Sequence, residues 1–357
     1  MKIGIPKESQ DNRISMVPTT MKKIKSEQVE FLVESDAGVN ASFPDNTFAE
    51  VATMTDRTTI FQTADIIVSV NPLADEELAK VKKGTLMISM FAPYVDESII
   101  GKLKKHDLQG VSMDMIPRTS LAQAMDILSS MAAVAGYKAV LAAASHLPRY
   151  FPMMITAAGS IRPAKVLVLG AGVAGLQAIA TARRLGAMVE AFDVRKAAKE
   201  EVESLGAKFV EVEGAADDTS AGGYAVEQSE EFIKRQRAEV QNRAAKADVI
   251  ITTAQVRGRK APILLPKETV DKMKTGSVVV DLASSTGGNC ELSKDNEIVL
   301  HNGVKIIGNS ALASDMPQDA STLFSNNILN FLKLIIKDGT MVLDMENEII
   351  KSALITG

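Results

Sequence analysis

The sequence has few residues that could form covalent or metal crosslinks. Among its 357 residues there are one cysteine, three histidines and no tryptophan. A single cysteine cannot form an internal disulfide, and this usage is typical of a reducing compartment. With so few histidines available as a base, we interpret Cys290 as a small buried residue rather than a nucleophile. No metal site is predicted.

The sequence also lacks a strong charge of either sign and a long basic tract. The net charge is −4, with 24% charged and 46% hydrophobic residues, which is ordinary globular composition. This balance argues against nucleic acid as a partner. The most apolar stretch, 121–147, contains Asp126, Lys138 and His146. We therefore interpret it as a buried or interface helix rather than a membrane span. The N-terminal residues predict a strand of the fold, not a signal peptide.

Strand and helix patterns alternate along the chain, which predicts parallel sheets with helices on both faces. The segment 64–67 resembles 247–250, so the two halves are expected to be structurally related. We predict an α/β fold with two Rossmann-like doubly wound parallel-sheet domains, a cleft between them, and long helices that link them.

A glycine-rich turn between a strand and a helix is the most informative segment. An apolar strand (165–169) is followed by glycines at G-x-G-x-x-G spacing, Gly170, Gly172 and Gly175. A helix (174–185), a second strand (188–192) and the acid Asp193 come next. The glycines permit a tight turn, close approach of a pyrophosphate, and close packing of helix on strand. The pyrophosphate would lie at the positive N-terminus of the helix. We therefore predict a dinucleotide site.

The acid after the second strand bears on which dinucleotide binds. Asp193 can accept a hydrogen bond from a ribose 2′-hydroxyl and would repel a 2′-phosphate, which favours NAD(H). Arg195 could instead hold a 2′-phosphate, or it could be a surface cation. The predicted domains are 1–128 plus 310–357, without the glycines, and 129–309, which binds NAD(H).

A second polar group precedes the glycines. Ser120 and Gln123 match a capping box that would begin the helix, and Asp126 and Ser130 follow Gln123 on one helix face, with Ser129 adjacent. These residues and Arg118 either cap and pair for structural reasons or line the cleft between domains and orient a carboxamide ring. Both interpretations stay open on spacing alone.

Two loops also have two interpretations each. The loop 287–289, Gly-Gly-Asn, follows a predicted strand, where open α/β sheets bind ligands, but it could equally be a tight turn. The run 214–223 is rich in small and polar residues and precedes Tyr224. It is either a surface loop or a lid over bound nucleotide.

Several segments resemble the NAD(H)-binding first component of the α subunit of proton-translocating NAD(P) transhydrogenase. The resemblance extends over nearly the whole chain, and the pattern PR-x-S-x-AQ-x-MD-x-LSS is specific to that family. The segments that carry it are MKIGIPKE with Arg13, PRTSLAQAMDILSSMAAVAGYKAV, FPMMITAAG, VLGAGVAGLQAIATARRLGA, AFDVR, AGGYA, ITTAQVRGRKAP and DLASSTGGNCE. Alanine dehydrogenase resembles it in fold and in the IPKE, GAG and GG segments.

The resemblance implies a homodimer that is soluble itself and peripheral to the inner (cytoplasmic) membrane, on its cytoplasmic face. Hydride would pass from NADH on this chain to NADP⁺ on a separate NADP(H)-binding domain, coupled to proton movement through a membrane-embedded partner subunit. The nicotinamide end would be held by Arg118, Gln123, Asp126 and Ser129. The rest of NAD(H) would be held by Gly170, Gly172, Val173, Ala174, Gly175, Asp193, Val194, Arg195, Gly223, Tyr224, Gln236 and Gln255. Gln255 lies in AQVRG, where family members often have ALIPG.

Two other functions are weighed against a transhydrogenase component. A free-standing oxidoreductase of the alanine dehydrogenase type needs a proton-handling lysine or histidine, and the corresponding segments around Asn71 and Met90 contain neither. A regulatory nucleotide-binding module without catalysis would not need Arg118, Gln123 and Asp126 together.

Overall fold

The computed structural model describes residues 1–26, 28–212 and 229–357. Within these residues the chain divides into two compact units, 1–131 with 313–357 (unit 1) and 132–312 (unit 2). We propose that these units are the two domains expected from the sequence. The segment 213–228, which contains Gly223 and Tyr224, lies outside the described residues.

Unit 1 contains a six-stranded parallel sheet. Its strands are β1 (Lys2–Ile5), β2 (Glu30–Glu34), β3 (Thr53–Thr55), β4 (Ile66–Val68), β5 (Leu86–Ser89) and β6 (Gln109–Ser112). Their order is β3-β2-β1-β4-β5-β6, the strand order of a Rossmann sheet. The helices between the strands are α1 (Pro18–Met21), α2 (Arg57–Thr63), α3 (Asp75–Leu78) and α4 (Ser98–Lys105).

The long helix α5 (Ile127–His146) begins in unit 1 and ends in unit 2. By length and composition it is the one described helix that could cross a membrane, and 39% of its most apolar window is buried within the protein. A buried helix of a globular core meets the same two criteria, so this property alone is weak evidence for a membrane span.

Unit 2 contains a seven-stranded sheet and a separate hairpin. The hairpin strands are β7 (Met154–Thr156) and β8 (Gly159–Ile161). The sheet strands are β9 (Lys165–Leu169), β10 (Met188–Phe192), β11 (Lys208–Phe209), β12 (Val249–Thr252), β13 (Val278–Asp281), β14 (Glu297–His301) and β15 (Val304–Gly308). The sheet order is β11-β10-β9-β12-β13-β15-β14, and only β14 pairs antiparallel. The helices are α6 (Val173–Arg184), α7 (Ala198–Ser204), α8 (Glu230–Ala244) and α9 (Lys267–Val270).

Strand β9 shows how this sheet is buried on both faces. Val166 and Val168 belong to one core cluster together with Ile179 of α6, whereas Leu167 belongs to another cluster that includes Val240 of α8. Successive side chains of a strand point to opposite faces, so a continuous apolar run is what a parallel sheet between two helix layers requires.

The C-terminal residues complete unit 1 with α10 (Pro317–Ile335), a short hairpin of β16 (Ile336–Lys337) and β17 (Thr340–Met341), and α11 (Glu348–Ala353). Serines of α10 bind N-terminal backbone: Ser321 Oγ accepts from the Ile14 amide and Ser325 Oγ from the Val17 amide, each at 2.9 Å. The predicted α/β class with two Rossmann-like parallel sheets is confirmed.

Candidate functional site

The glycine-rich turn of unit 2 joins β9 to α6. Gly170 has a φ of +103°, which L side chains rarely adopt. A Cβ at Gly175 would lie 1.8 Å from the carbonyl oxygen of Gly170, so only glycine lets α6 begin this close to the strand. A Cβ at Gly172 would meet no heavy atom of the described residues within 4 Å. The turn is therefore open at Gly172, at the end of a helix whose first amides lack intrahelical acceptors.

Thr253, directly after the neighbouring strand β12, fixes the turn from the other side. The Thr253 amide donates to the carbonyl of Leu169 at 2.9 Å, and Thr253 Oγ1 donates to the carbonyl of Gly170 at 3.0 Å. The chain leaves β9 toward β10 on one side, while β12 lies on the other. The turn thus lies at the point where the strand order reverses, which is where open α/β sheets bind ligands.

Asp193 follows β10 beside this turn and is already fully hydrogen-bonded. Its Oδ2 accepts from the Ala171 amide at 2.8 Å and from Arg195 Nη2 at 3.1 Å. Its Oδ1 accepts from the Arg195 amide at 2.8 Å and from Arg195 Nε at 3.0 Å. Since a carboxylate has about four acceptor positions, a ribose hydroxyl reaches Asp193 only by sharing or displacing one of these bonds.

Arg195 is the partner that can move. Its side chain is 42% exposed, against 9% for that of Asp193. The hydrogen bonds that Arg195 donates to Asp193 raise the pKa of Arg195 above its ordinary value. Arg195 Nη2 also donates to the carbonyl of Ala171 at 3.3 Å. The pair therefore connects the acid at the end of β10 to the glycine-rich turn.

The other predicted nucleotide contacts are distributed around this edge of unit 2. Val173 and Val194 are exposed, by 41% and 65%, and Ala174 is half-buried in the first turn of α6. Gln236 is half-buried on α8, and Gln255 is exposed, with its Nε2 donating to the carbonyl of Leu282 at 2.8 Å. Two further predicted residues, Gly223 and Tyr224, lie outside the described residues.

The loop after β13 is tied to the protein by buried polar side chains. Asn289 Nδ2 donates to the carbonyls of Ala254 at 2.8 Å and Pro262 at 2.9 Å. Asp281 Oδ2 accepts from the amides of Asn289 at 2.8 Å and Cys290 at 3.0 Å. Burial raises the pKa of the Cys290 thiol to about 12. These contacts favour the tight-turn interpretation of 287–289.

The structure brings together three of the four residues predicted to hold the nicotinamide. Ser129 Oγ donates to Asp126 Oδ2 at 2.6 Å. Arg118 Nη2 lies 3.4 Å from Ser129 Oγ, and Arg118 Nε lies 3.6 Å from Asp126 Oδ2. Gln123 is exposed. Arg118 is 68% exposed and Asp126 17%, so the carboxylate is held in place while the guanidinium stays accessible.

The predicted capping box is wrong. Residues Gln123–Met125 form a single 3₁₀ turn without a side-chain cap, and α5 begins only at Ile127. Asp126 caps α5 instead, because its Oδ1 accepts from the Ser129 amide at 2.9 Å. A carboxylate there also suits the positive N-terminus of the helix. Asp126 therefore has a structural role as a helix cap, and its contact with a nicotinamide stays a prediction.

The sequence did not predict a polar cluster in unit 1 between β1 and β4. Glu8, after β1, accepts from the Val70 amide at 2.6 Å and from Asn71 Nδ2 at 3.2 Å. Asp11 pairs with Arg13, which donates from Nε to Oδ1 at 2.9 Å, and both side chains are buried. The motif MKIGIPKE and Arg13 were visible in the sequence, but no periodicity links Glu8 to Asn71.

Comparisons with known proteins place the chain in a family. Residues 4–135 match the family described as "Alanine dehydrogenase/PNT, N-terminal domain", and residues 139–357 match "Alanine dehydrogenase/PNT, C-terminal domain". The chain belongs to the alanine dehydrogenase/PNT family. Together the two matches cover almost the whole chain, including every candidate residue described above.

Relatives at 42–44% identity include transhydrogenase subunits. The chain is 44% identical to the first part of NAD(P) transhydrogenase subunit alpha from Rhodospirillum rubrum, over 100% of this chain and 96% of that protein. It is 42% identical to NAD(P) transhydrogenase subunit alpha of Haemophilus influenzae, over 99% of this chain and 70% of that one. The predicted membership of the transhydrogenase alpha subunits, and with it the prediction of an enzyme of this oxidoreductase family, are confirmed.

Solved structures agree with this assignment. The crystal structure of transhydrogenase from Sinorhizobium meliloti has a TM-score of 0.91 at 40% identity and covers 99% of this chain and 98% of its own. An L-alanine dehydrogenase structure has a TM-score of 0.83 at 23% identity, over 99% of this chain and 94% of its own. At that identity the second similarity supports the fold alone.

Proposed function

We propose that unit 2 binds NAD(H) and that hydride passes directly between it and NADP(H) held on a separate partner domain. The observation that carries this proposal is the glycine-rich turn, open at Gly172, beside Asp193. The fit to a dinucleotide is good, because the tight turn, the open glycine and the acid stand in the order that such a site requires. The names of the relatives, NAD(P) transhydrogenase subunit alpha, support the same reaction.

The nicotinamide end is proposed to be held by Arg118, Asp126 and Ser129, with Gln123 reaching toward the second nucleotide. Hydride transfer between two nicotinamides leaves no alcohol or amine proton to move, so no general acid or base is needed. The residues then have to orient the ring and exclude water. The fixed Asp126–Ser129 pair and the exposed guanidinium of Arg118 are suited to orienting a carboxamide.

An amino-acid dehydrogenase is the alternative function. Such an enzyme needs a cation to hold the substrate carboxylate and a base for the amine proton. In unit 1 the guanidinium of Arg13 is paired with Asp11, and its Nη1 donates to Met131 Sδ at 3.1 Å. Asn71, not lysine, lies beside this pair. These contacts support the transhydrogenase proposal over the alternative.

The deciding experiment is an assay of hydride transfer. The purified chain is mixed with an NADP(H)-binding partner domain, and reduction of an NAD analogue by NADPH is followed. We expect turnover only when both proteins are present. Oxidation of L-alanine with NAD by the chain alone would contradict the proposal. Binding of NADH without any transfer would instead indicate a regulatory nucleotide-binding module.

The Gln123→Asn variant tests the proposed nicotinamide end. Shortening an exposed amide by one methylene should lower the hydride-transfer rate by about tenfold or more while NADH affinity changes less than about threefold. Gln62→Asn makes the same change in an exposed glutamine of α2 in unit 1; it is the matched control and should alter neither quantity. Equal losses of rate and affinity would count against the role of Gln123.

The assembly is proposed to be a homodimer, peripheral to the inner membrane on its cytoplasmic face and bound to a membrane-embedded proton-translocating subunit. The exposed apolar side chains around the β7–β8 hairpin support a subunit contact: Tyr150 at 54%, Met153 at 59% and Ile155 at 74%. Light scattering should give twice the chain mass, and membranes containing the partner subunit should retain the chain. A monomer at micromolar concentration, or equal retention by membranes without the partner, would contradict the assembly.

A further inference from the structure

Helix α5 passes unusually close to the first turn of α6 in unit 2. A Cβ at Gly136 of α5 would lie 2.1 Å from the carbonyl oxygen of Ala174, 2.9 Å from its carbonyl carbon and 3.0 Å from its Cα. All three atoms belong to the backbone, so no side-chain rotation could make room for a methyl group. Any residue other than glycine at position 136 must move one helix relative to the other.

Both helices also contribute small residues to one buried core. Ala139 and Ala143 of α5 and Ala178 and Ala182 of α6 are all fully buried in the same core cluster. The distance between packed helices depends on the side chains at the contact, and alanines permit a short one. Because interiors are closely packed, the buried core around both helices would resist the shift that a Cβ at Gly136 requires.

The glycine-rich turn and the first turn of α6 are consequently held by three contacts. Gly175 lies against the carbonyl of Gly170, Thr253 Oγ1 binds that same carbonyl, and Gly136 lies against Ala174. At Gly172 no heavy atom of the described residues would lie within 4 Å of an added Cβ. The strand, the neighbouring strand and α5 together determine where the free amides of this turn point.

We infer that Gly136 is a positioning residue of the dinucleotide site. It acts through the backbone of Ala174 and holds the first turn of α6 at the distance from β9 at which its free amides meet the pyrophosphate. The inference rests on the proposed binding of NAD(H) in unit 2. Gly136 is separate from the G-x-G-x-x-G motif, and it adds a glycine from the preceding helix to the motif's three.

The test is the Gly136→Ala variant with Gly101→Ala as its matched control. Both glycines lie in helices, but a Cβ at Gly101 meets no described heavy atom within 4 Å. Binding of ADP and of adenosine is measured by calorimetric competition. Gly136→Ala should weaken ADP and NADH binding by about tenfold or more and leave adenosine binding unchanged, because adenosine depends on Asp193 and not on the helix N-terminus. Gly101→Ala should change neither.

Unchanged ADP affinity in Gly136→Ala would overturn the inference. Equal losses for ADP and adenosine would also overturn it, because a general structural defect weakens both ligands and does not select the phosphates. Circular dichroism checks folding. A variant that is partly unfolded is measured again in concentrated sucrose at low temperature, beside wild type, since excluded osmolytes favour the compact state. Failure of wild type to bind NADH at all would contradict the proposed function itself and is thereby distinguished from failure of this inference.

Discussion

Both sheets reverse their strand order beside their first strand, β1 in unit 1 and β9 in unit 2, but the residues at these two points are different. In unit 2 the turn after β9 consists of glycine and alanine backbone, and the space at Gly172 is open as far as the described residues show. In unit 1 the segment after β1 carries Glu8, which binds the Val70 amide and Asn71 at the end of β4. One crevice is open to a ligand, and the other is bridged by the protein's own side chains.

The comparison shows that the fold forms a crevice where the strand order reverses, and that the local residues determine whether a ligand can bind there. A turn of small residues exposes amides and leaves room for phosphate oxygens. In unit 1 the carboxylate of Glu8 itself occupies the crevice, where it accepts from the Val70 amide and would repel an anion. Burial raises the pKa of Glu8, a sign that its surroundings are poorly solvated. Substitutions in either unit test this difference.

The largest expected effect is the loss of nucleotide binding in Gly175→Ala. The added Cβ would lie 1.8 Å from the Gly170 carbonyl, so α6 has to move away from the turn and the phosphate site is lost. NADH affinity should fall by about a thousandfold, or ~4 kcal/mol. Fluorescence titration of NADH measures this, and a fall of less than about tenfold would contradict the account.

Asp11→Asn in unit 1 should instead lower stability. It leaves the buried guanidinium of Arg13 without its charge partner, which costs about 3 kcal/mol or more. Urea unfolding at neutral pH measures the loss, and NADH affinity should remain within about threefold of wild type. A selective loss of NADH affinity at unchanged stability would place Asp11 in the nucleotide site and contradict the comparison.

The ion pair of Asp11 and Arg13 is also expected to make the stability of the fold depend on pH. Burial raises its pKa, but the hydrogen bonds and charge of Arg13 outweigh burial and hold the pKa below the ordinary 3.8. The pair therefore stabilises the fold above pH 3.8, and this contribution is lost as the pH falls through the lower folded-state pKa. Asp11→Asn should lose less stability than wild type over that acid range. An equal loss in both proteins would contradict the assignment.

Arg195→Met should make unit 2 more selective for NADH over NADPH. It removes the cation that pairs with Asp193, so the carboxylate's charge should repel a 2′-phosphate more strongly. The ratio of NADPH to NADH dissociation constants should rise by about fivefold, or ~1 kcal/mol. Arg184→Met, which alters an exposed arginine at the end of α6, is the control. A fall in the ratio would show that Arg195 holds the 2′-phosphate.

The smallest effect is expected from chemical labelling of Cys290, which tests whether the loop after β13 is closed. The thiol is buried, and its pKa of about 12 leaves almost no thiolate at neutral pH. A maleimide should label Cys290 only after unfolding. Labelling of the native protein at the rate of a free thiol would mean that this loop opens toward ligand.

Local patterns predicted much of the fold and of the unit 2 site. Continuous apolar strands and the glycine spacing are readable because each depends on neighbours in sequence. The start of α5 was misplaced because Ser120 and Asp126 both offer a cap, and only packing decides between them. The Glu8–Asn71 bridge and the Gly136–Ala174 contact join residues far apart in sequence, so no motif contains them.

The stoichiometry of NADH binding tests the central claim most directly, because only the open crevice is expected to take a nucleotide. Calorimetric titration of the purified chain should saturate at one NADH per chain, and Gly175→Ala should show no saturable binding in the same concentration range. Two NADH per chain, or one site that persists in Gly175→Ala, would contradict the account.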